Sequence, residues 1–437
     1  MRPRLLPVLA VAALLGAAAS TAQTPPTAAP TLALRAAALL DVESGRLVPD
    51  PVVLIEGERI RAVGSRLPIP PGTRTIDLGD ATLLPGLIDC HTHVTTTYRF
   101  LLYGGPMNDA VTAPGNAQKT LRSGITTIRD LWAKDYIDVA LRDAINRGEV
   151  EGPRMLVATL AIGSTGGHNE DVLGLSPTVS INDFLGIADG VDAVRKLVRT
   201  EIKYGADVIK IMATEGAEEG DNLDNETQFT LAEMQAIVEE AHRYGKKVAA
   251  HAHGTDGIKV AIRAGVDSIE HGTLLDDEGV RLLKEHGTYL VPTGYMWDYG
   301  EEHPPADRTP LARERDLRFQ RGSREGFAKA VAAGVKIAMG SDSSAIPHGE
   351  NPKEVVWMAT HGMTPLQAIQ AATVHAADLL GWSDRVGSIA PGRYADLVAV
   401  RGNPLTDVKL LAAIPFVMKG GAVMKDEIST QPCAIRR

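Results

Sequence analysis

Short apolar strands alternating with amphipathic helical runs decide what this chain can fold into. The strand candidates are Leu83–Val94, Gly124–Leu131, Arg154–Ile162, Asp207–Ala213, Lys247–Gly254, Ser268–Gly272, Thr288–Gly294 and Lys336–Ser343. Between them lie runs such as "GVDAVRKLVRTEIKYGA" and "TLAEMQAIVEEAHRYGK", where apolar residues recur at three and four. Eight strands with intervening helices in about 300 residues predict an α/β fold, a (β/α)8 TIM barrel rather than an open doubly wound sheet. The first strand–helix loop lacks a Gly-x-Gly-x-x-Gly, which also speaks against a dinucleotide fold.

The 437 residues exceed what a barrel needs, so a second, smaller unit is expected. Residues 32 to 83 read as short strands broken by turns, and the end of the chain reads alike in "GSIAPGRYADLVAVRGNP" and "PFVMKGGAVMK". Neither piece makes a good sheet alone. The two ends are therefore expected to pair into one small β-sandwich domain. The predicted division is 23–84 for its N-terminal part, 85–385 for the barrel and 386–437 for its C-terminal part. Residues 1–22 read as a signal peptide: Arg2 and Arg4, an apolar run Leu5–Ala19, then the small residues Ser20, Thr21 and Ala22. The apolar run is short for a membrane span. The expectation is an exported, periplasmic or secreted bacterial protein with no membrane attachment after cleavage. "QTPPTAAPT" then reads as a flexible mature N-terminus. Net charge is −9 with both signs mixed along the chain and no basic run, which argues against nucleic acid as a partner. Only Cys90 and Cys433 are present, too few and too far apart for a disulfide scaffold, and Cys90 reads as a packed free thiol.

The unusual polar residues cluster near the C-terminal ends of the predicted strands, the face where barrel enzymes build their sites. Strand one ends with His91 and His93, whose alternate spacing points them the same way. Strand four carries Lys210, strand five ends with His251 and His253, strand six with His271 and strand eight with Asp342. Each has an ordinary reading. A His-x-His pair can be satisfied core, Asp342 can cap a helix, and Lys210 can sit in a buried salt bridge. The functional reading of Lys210 is a carbamate formed with CO2, a carboxylate-like ligand able to bridge two cations. Six ligand-type groups at one barrel face are hard to keep unpaired and dry without metal.

In this pattern the chain resembles the amidohydrolase superfamily, in its binuclear subtype with a carboxylated lysine. "PGLIDCHTH" and "PGRYADLVAV" resemble that superfamily's barrel-entry and C-terminal sandwich segments. "STGGHN", "DVIKIMATEG", "AHAHG", "SIEHG" and "GSDSS" resemble its Xaa-Pro dipeptidase-like and imidazolonepropionase-like branch, which includes ochratoxin A-hydrolysing enzymes. The resemblance runs from about Leu32 to about Lys425. It implies two divalent ions, zinc by ligand type, with His91, His93 and Asp342 on one, His251 and His271 on the other, and carboxylated Lys210 between. It further implies His253 as the group that polarises the scissile carbonyl, Asp342 as proton carrier, and His168 of "GSTGGHN" as a contact to substrate carboxylate or carbonyl. A surface position is the plain alternative for His168. Tyr295 and Trp297 line an aromatic substrate wall or simply pack, and His348 falls near the mouth. His375 stands where relatives often have asparagine; it reads as packing.

The substrate class implied is an N-acyl amino acid or dipeptide with a free C-terminal carboxylate, ochratoxin A included. Cyclic-amide or lactone hydrolysis of the imidazolonepropionase type is the competing activity, and a non-catalytic metal-binding protein is the other alternative. A small-molecule or dipeptide partner and a homo-oligomer, sometimes an octamer, complete what the resemblance implies.

Overall fold

The computed structural model describes residues 32–95, 105–170, 176, 185–216, 227–304 and 309–429. The predicted signal peptide and the stretch 23–31 lie outside the described residues. No helix among the described residues is long and apolar enough to cross a membrane.

The first seven strands are β1 (Leu32–Arg35), β2 (Ala38–Asp41), β3 (Arg46–Pro49), β4 (Pro51–Glu56), β5 (Arg59–Ser65), β6 (Arg74–Asp77) and β7 (Ala81–Pro85). The inner strands are runs of Val, Ile and Leu, which suit a buried pleated surface. Eight further strand segments follow in the middle of the chain: β8 (Leu87–Thr92), β9 (Ile125–Asp130), β10 (Arg154–Val157), β11 (Ala161–Ile162), β12 (Val208–Met212), β13 (Lys247–Ala252), β14 (Ser268–His271) and β15 (Tyr289–Val291). The last three are β16 (Leu397–Arg401), β17 (Phe416–Lys419) and β18 (Ala422–Asp426).

The two ends of the chain share a sheet. β16 pairs antiparallel with β7, placing Leu397 opposite Pro85 and Arg401 opposite Ala81. The resulting six-stranded sheet, in the order β18-β17-β16-β7-β2-β3, packs on the four-stranded sheet β5-β4-β1-β6. Leu34, Val53 and Ile55 from one sheet and Leu83, Leu397 and Phe416 from the other form one buried cluster. Arg154 joins this unit to the middle of the chain. Its guanidinium bonds Asp396 at 2.7 and 3.2 Å and lies 3.4 Å over the Tyr394 ring.

The middle strands run parallel in two ladders, β10-β9-β8 and β11-β12-β13-β14-β15. Hydrogen bonds beyond the regular ladders link them into a TIM-barrel-like ring. Asp207 N donates to Val157 O, joining β10 to the start of β12. Segment 336–343 closes the opposite side without being a regular strand. Leu290 N donates to Lys336 O and Ala338 N to Leu290 O; Cys90 N donates to Met339 O and His93 N to Ser343 O.

Three expectations change in detail. Leu83–Val94 is two strands, because Gly86 lets the chain leave the sandwich sheet and enter the ring. A Cβ at Gly86 would stand 2.1 Å from Thr126 Oγ1 and 2.8 Å from Thr126 Cβ. Arg154–Ile162 is also two strands. Thr159 takes a left-handed φ of 62° there, and its N–H turns to Asp138 Oδ2. Lys336–Ser343, predicted as strand eight, keeps the path but not the regular pairing, since its carbonyls and amides serve both neighbours in turn. The quoted helical runs form helices Val191–Tyr204 and Leu231–Arg243, the second opened by a Thr230–Glu233 capping box. Gly86→Ala should overpack this junction and lower stability by about 1–3 kcal/mol, read as a lower urea midpoint.

Candidate metal centre

The ends of β8, β12, β13 and β14 and the segment 336–343 meet at one mouth of the ring. Register sets the neighbours. Lys210 lies opposite Ala161 on one side and Ala249 on the other. His251 lies opposite Met212 and Glu270, and His271 opposite Ala252. Small partners beside Lys210 leave room for a long side chain inside the ring. Lys210 is 1% exposed, and His91, His93, His251, His253, His271 and Asp342 are all buried.

Two triads of ligand-type atoms result: His91, His93 and Asp342, and His251, His253 and His271. In the first, Asp342 Oδ1 lies 3.0 Å from His93 Nε2 and 3.5 Å from His91 Nε2, and the two Nε2 atoms are 3.3 Å apart. Oδ1 is nevertheless buried without a well-aligned hydrogen-bond partner. In the second, ring centroids are 4.6–4.7 Å apart.

The outer nitrogens explain which atoms face inward. His91 Nδ1 meets Glu270 Oε2 at 2.9 Å. His253 Nδ1 meets Thr273 Oγ1 and His271 Nδ1 meets Thr293 Oγ1, both at 2.7 Å. His251 Nε2 meets the Glu215 carbonyl at 3.2 Å; a carbonyl only accepts, so Nε2 carries the proton and Nδ1 is the lone-pair atom. Such outer partners fix ring orientation and tautomer in metal sites. Glu270 itself accepts from Arg129 Nη2 at 2.8 Å and Ser268 Oγ at 2.5 Å.

The backbone is bent to make this mouth. His271, Thr293 and Asp342 have φ of 67°, 48° and 54°, a left-handed conformation costing roughly 1–3 kcal/mol for a residue with a side chain. Gly340 lets segment 336–343 approach β8, since a Cβ there would stand 2.7 Å from His91 Cβ.

Burial sets the protonation states. It pushes His91 down to about 4 and His253 down to about 3, with the Lys210 charge acting in the same sense. His251 and His271 are pushed well below the ordinary imidazole value, chiefly by burial, with His168 and His253 acting on the first and His253 and His251 on the second. Lys210 is lowered to about 8 by burial, against the pull of Glu270 and Asp342. Burial alone would raise Glu270, but Arg129 and His91 outweigh it and bring it down to about 2. Asp342 is likewise held below the usual carboxylate range by His91, His93 and Lys210, against its burial. His91 Nε2 and His251 Nδ1 turn lone pairs inward, beside an ionised Asp342. That donor set fits divalent metal.

Of the substrate contacts expected from sequence, His168 stacks on His251 at 4.4 Å and 24°. Gly216 makes this possible, because a Cβ there would stand 2.3 Å from the His168 ring. His348 sits behind His93, with Nδ1 3.3 Å from Thr120 Oγ1; burial pushes it down to about 4. The Tyr295 hydroxyl is 3.1 Å from both Glu350 Oε2 and Lys353 Nζ. Trp297, two residues on, is the one whose ring meets a triad histidine, 6.1 Å from His253. Sequence reading passed over Glu270, Arg129, Thr273, Thr293 and Phe319. The visible clue was charge inside apolar strands, in "SIEHG" and "TTIRDL".

A mouth of this kind, on a TIM-barrel-like ring with inward imidazoles, defines the class of metal-assisted hydrolases. The chain belongs to the amidohydrolase family, whose model, described as "Amidohydrolase family", matches residues 82–425. Ochratoxinase of Aspergillus niger is 33% identical over 426 residues, covering 89% of this chain and 86% of the relative. Its crystal structure superposes with a TM-score of 0.79 at 31% identity, over 90% of this chain and 96% of that one. A Xaa-Pro dipeptidase solved with methionine bound in its active site superposes at 0.84 and 36% identity, over 90% and 99%. Imidazolonepropionase of Cereibacter sphaeroides is 28% identical over 381 residues, covering 80% of this chain and 88% of the relative.

The depressed imidazoles predict a pH dependence. Unfolding frees His91 and His253 to their ordinary 6.5, so the unfolded chain binds more protons below that pH. Stability of the chelated protein should be full above about pH 6.5 and fall as pH drops towards 4, read as the urea midpoint across that window.

Proposed function

We propose that this protein is an exported two-metal amide hydrolase acting on N-acyl amino acids or dipeptides with a free C-terminal carboxylate, ochratoxin A among them. One observation carries the reading: two buried triads of ligand-type atoms stand side by side, His91 of one and His271 of the other 4.8 Å apart between ring centroids, at the mouth to which the buried Lys210 belongs. The likeness to ochratoxinase and to the Xaa-Pro dipeptidase supports the amide class.

His91, His93 and Asp342 would hold one ion and His251 and His271 the other, with Lys210, as a carbamate, a further oxygen ligand. Imidazole and carboxylate donors suit zinc. The Lys210 amine would become that ligand by attacking CO2, giving a carbamate and releasing a proton. Bound ions supply Lewis acidity, polarising the scissile carbonyl and lowering the pKa of water.

The chain's own groups do the rest. Asp342 stays ionised because neighbouring positive and imidazole groups favour its charged form. Its carboxylate takes the proton of the attacking water and passes it to the leaving nitrogen. His253 Nδ1 accepts from the Thr273 hydroxyl in the tautomer that leaves Nε2–H for the developing oxyanion. His168, stacked over His251, holds the carboxylate of the leaving amino acid.

His253 also stands within the second triad, so its role as oxyanion donor has a rival as ligand. Replacing His253 with Ala should keep two metals per chain and lower kcat by about 10²–10³, measured by elemental analysis beside turnover. Loss of one metal would assign His253 as a ligand instead. Zinc-loaded protein in bicarbonate should release amino acid from N-acyl amino acids, dipeptides and ochratoxin A, and chelation should abolish release. Turnover of imidazolone or lactones alone would favour the imidazolonepropionase-type reading, which the Cereibacter relative supports. Lys210→Ala should lose both bound metal and activity, read by the same elemental analysis.

A further inference from the structure

Glu354, on helix Lys353–Thr360, is a buried carboxyl that the hydrolytic chemistry does not use. Both its oxygens serve one turn of backbone: Oε1 accepts from Gly294 N at 2.8 Å and Oε2 from Tyr295 N at 2.7 Å. Burial pushes it up to about 8, with Asp89 and Asp298 acting in the same sense against the two amides. An acid is therefore a costly residue at this place unless its oxygens are needed there.

The surrounding turn grips the same two residues at other points. Trp357, three residues on from Glu354, packs on Gly294, where a Cβ would stand 2.2 Å from its ring. Lys353 Nζ donates to the Tyr295 hydroxyl at 3.1 Å, and that hydroxyl donates to Glu350 Oε2 at 3.1 Å. Gly294 and Tyr295 are thus held by main chain, ring and hydroxyl together.

Immediately before them stands Thr293, with its left-handed φ of 48°. A β-branched residue keeps that conformation only where its neighbours impose it. The Thr293 hydroxyl meets His271 Nδ1 at 2.7 Å, and His271 is itself at φ 67°. Both partners in this bond sit on unfavourable backbone, and the bond orients the His271 ring towards the mouth. The clamp on residues 294 and 295 is what holds the Thr293 side of it.

Resting on the two-metal reading, we propose that Glu354 is a positioning residue for the ion that His271 would hold. It fixes the Gly294 and Tyr295 amides, which keeps Thr293 strained and its hydroxyl on His271. The turn that follows segment 336–343 thereby supports the second triad as well as the first, since Asn351 of the same turn bonds Asp89 at 2.8 Å behind His91.

The test is zinc titration of the chelated full chain in bicarbonate against a chelating indicator, which reads each site's affinity. Glu354→Ala should weaken one site about 10–100-fold and leave the other within about twofold. Thr293→Val should weaken the same site by a similar factor. The double variant should lose no more than the worse single one, because both act through His271. Glu354→Gln keeps one acceptor oxygen, should fall between wild type and Ala, and serves if the alanine variant folds poorly. A lower urea midpoint with both affinities unchanged would overturn the proposal, and so would losses that multiply in the double variant. A single zinc site in the wild type would overturn the two-metal reading alone, since the same coupled loss is still expected at that site.

Discussion

Glu270 is the group on which the metal mouth depends. It has no solvent exposure, and three groups from three strands converge on it: Arg129 of β9, Ser268 of its own strand and His91 of β8. A lone buried carboxylate would take up a proton; here Arg129 keeps it ionised. The charge in turn draws His91 Nδ1–H outward and leaves Nε2 for the interior. Arg129 also bonds the Cys90 carbonyl through Nε, so the same side chain fixes the strand that carries His91. Asp89 acts alongside, taking bonds from the His91 and Ser341 amides and from the Ser341 and Asn351 side chains. Thus the two halves of the first triad are held from behind, His91 by Glu270 on its outer nitrogen and β8 to segment 336–343 by Asp89.

Much of this was legible in the chain. His91, His93, Lys210, His251, His271 and Asp342 stand at or near strand ends, and strand ends follow from apolar runs between turn residues. The ring was legible for the same reason. What escaped has a common physical origin. Thr273 and Thr293 have ordinary short side chains, and their use depends on a neighbour's ring angle, which no spacing encodes. Phe319 lies inside helix Pro310–Ala333, where an aromatic reads as core. The break at Thr159 arises from a carboxylate 21 residues upstream in sequence, Asp138. Tyr295 and Trp297 looked equivalent in "PTGYMWDYG", and only the helix they start separates them.

The strained backbone at His271, Thr293 and Asp342 and the dry imidazoles express one arrangement. Local conformation and burial are both unfavourable at the mouth, and the buried aliphatic clusters around it offset that cost. Such a site is prearranged, with the lone pairs of His91 and His251 already turned inward.

The strand pairing between β7 and β16 has a consequence for how the chain is made. Thr82 Oγ1 bonds the Gly402 carbonyl across 320 residues of sequence. At a synthesis rate of about 5–20 residues per second, the early strands wait on the order of tens of seconds for their partner. During that time β7 is an open edge, a template for the wrong neighbour. The final strands therefore act as a completeness check: a chain truncated before Leu397 keeps its candidate metal ligands yet lacks the strand that pairs with β7, just ahead of their entry strand.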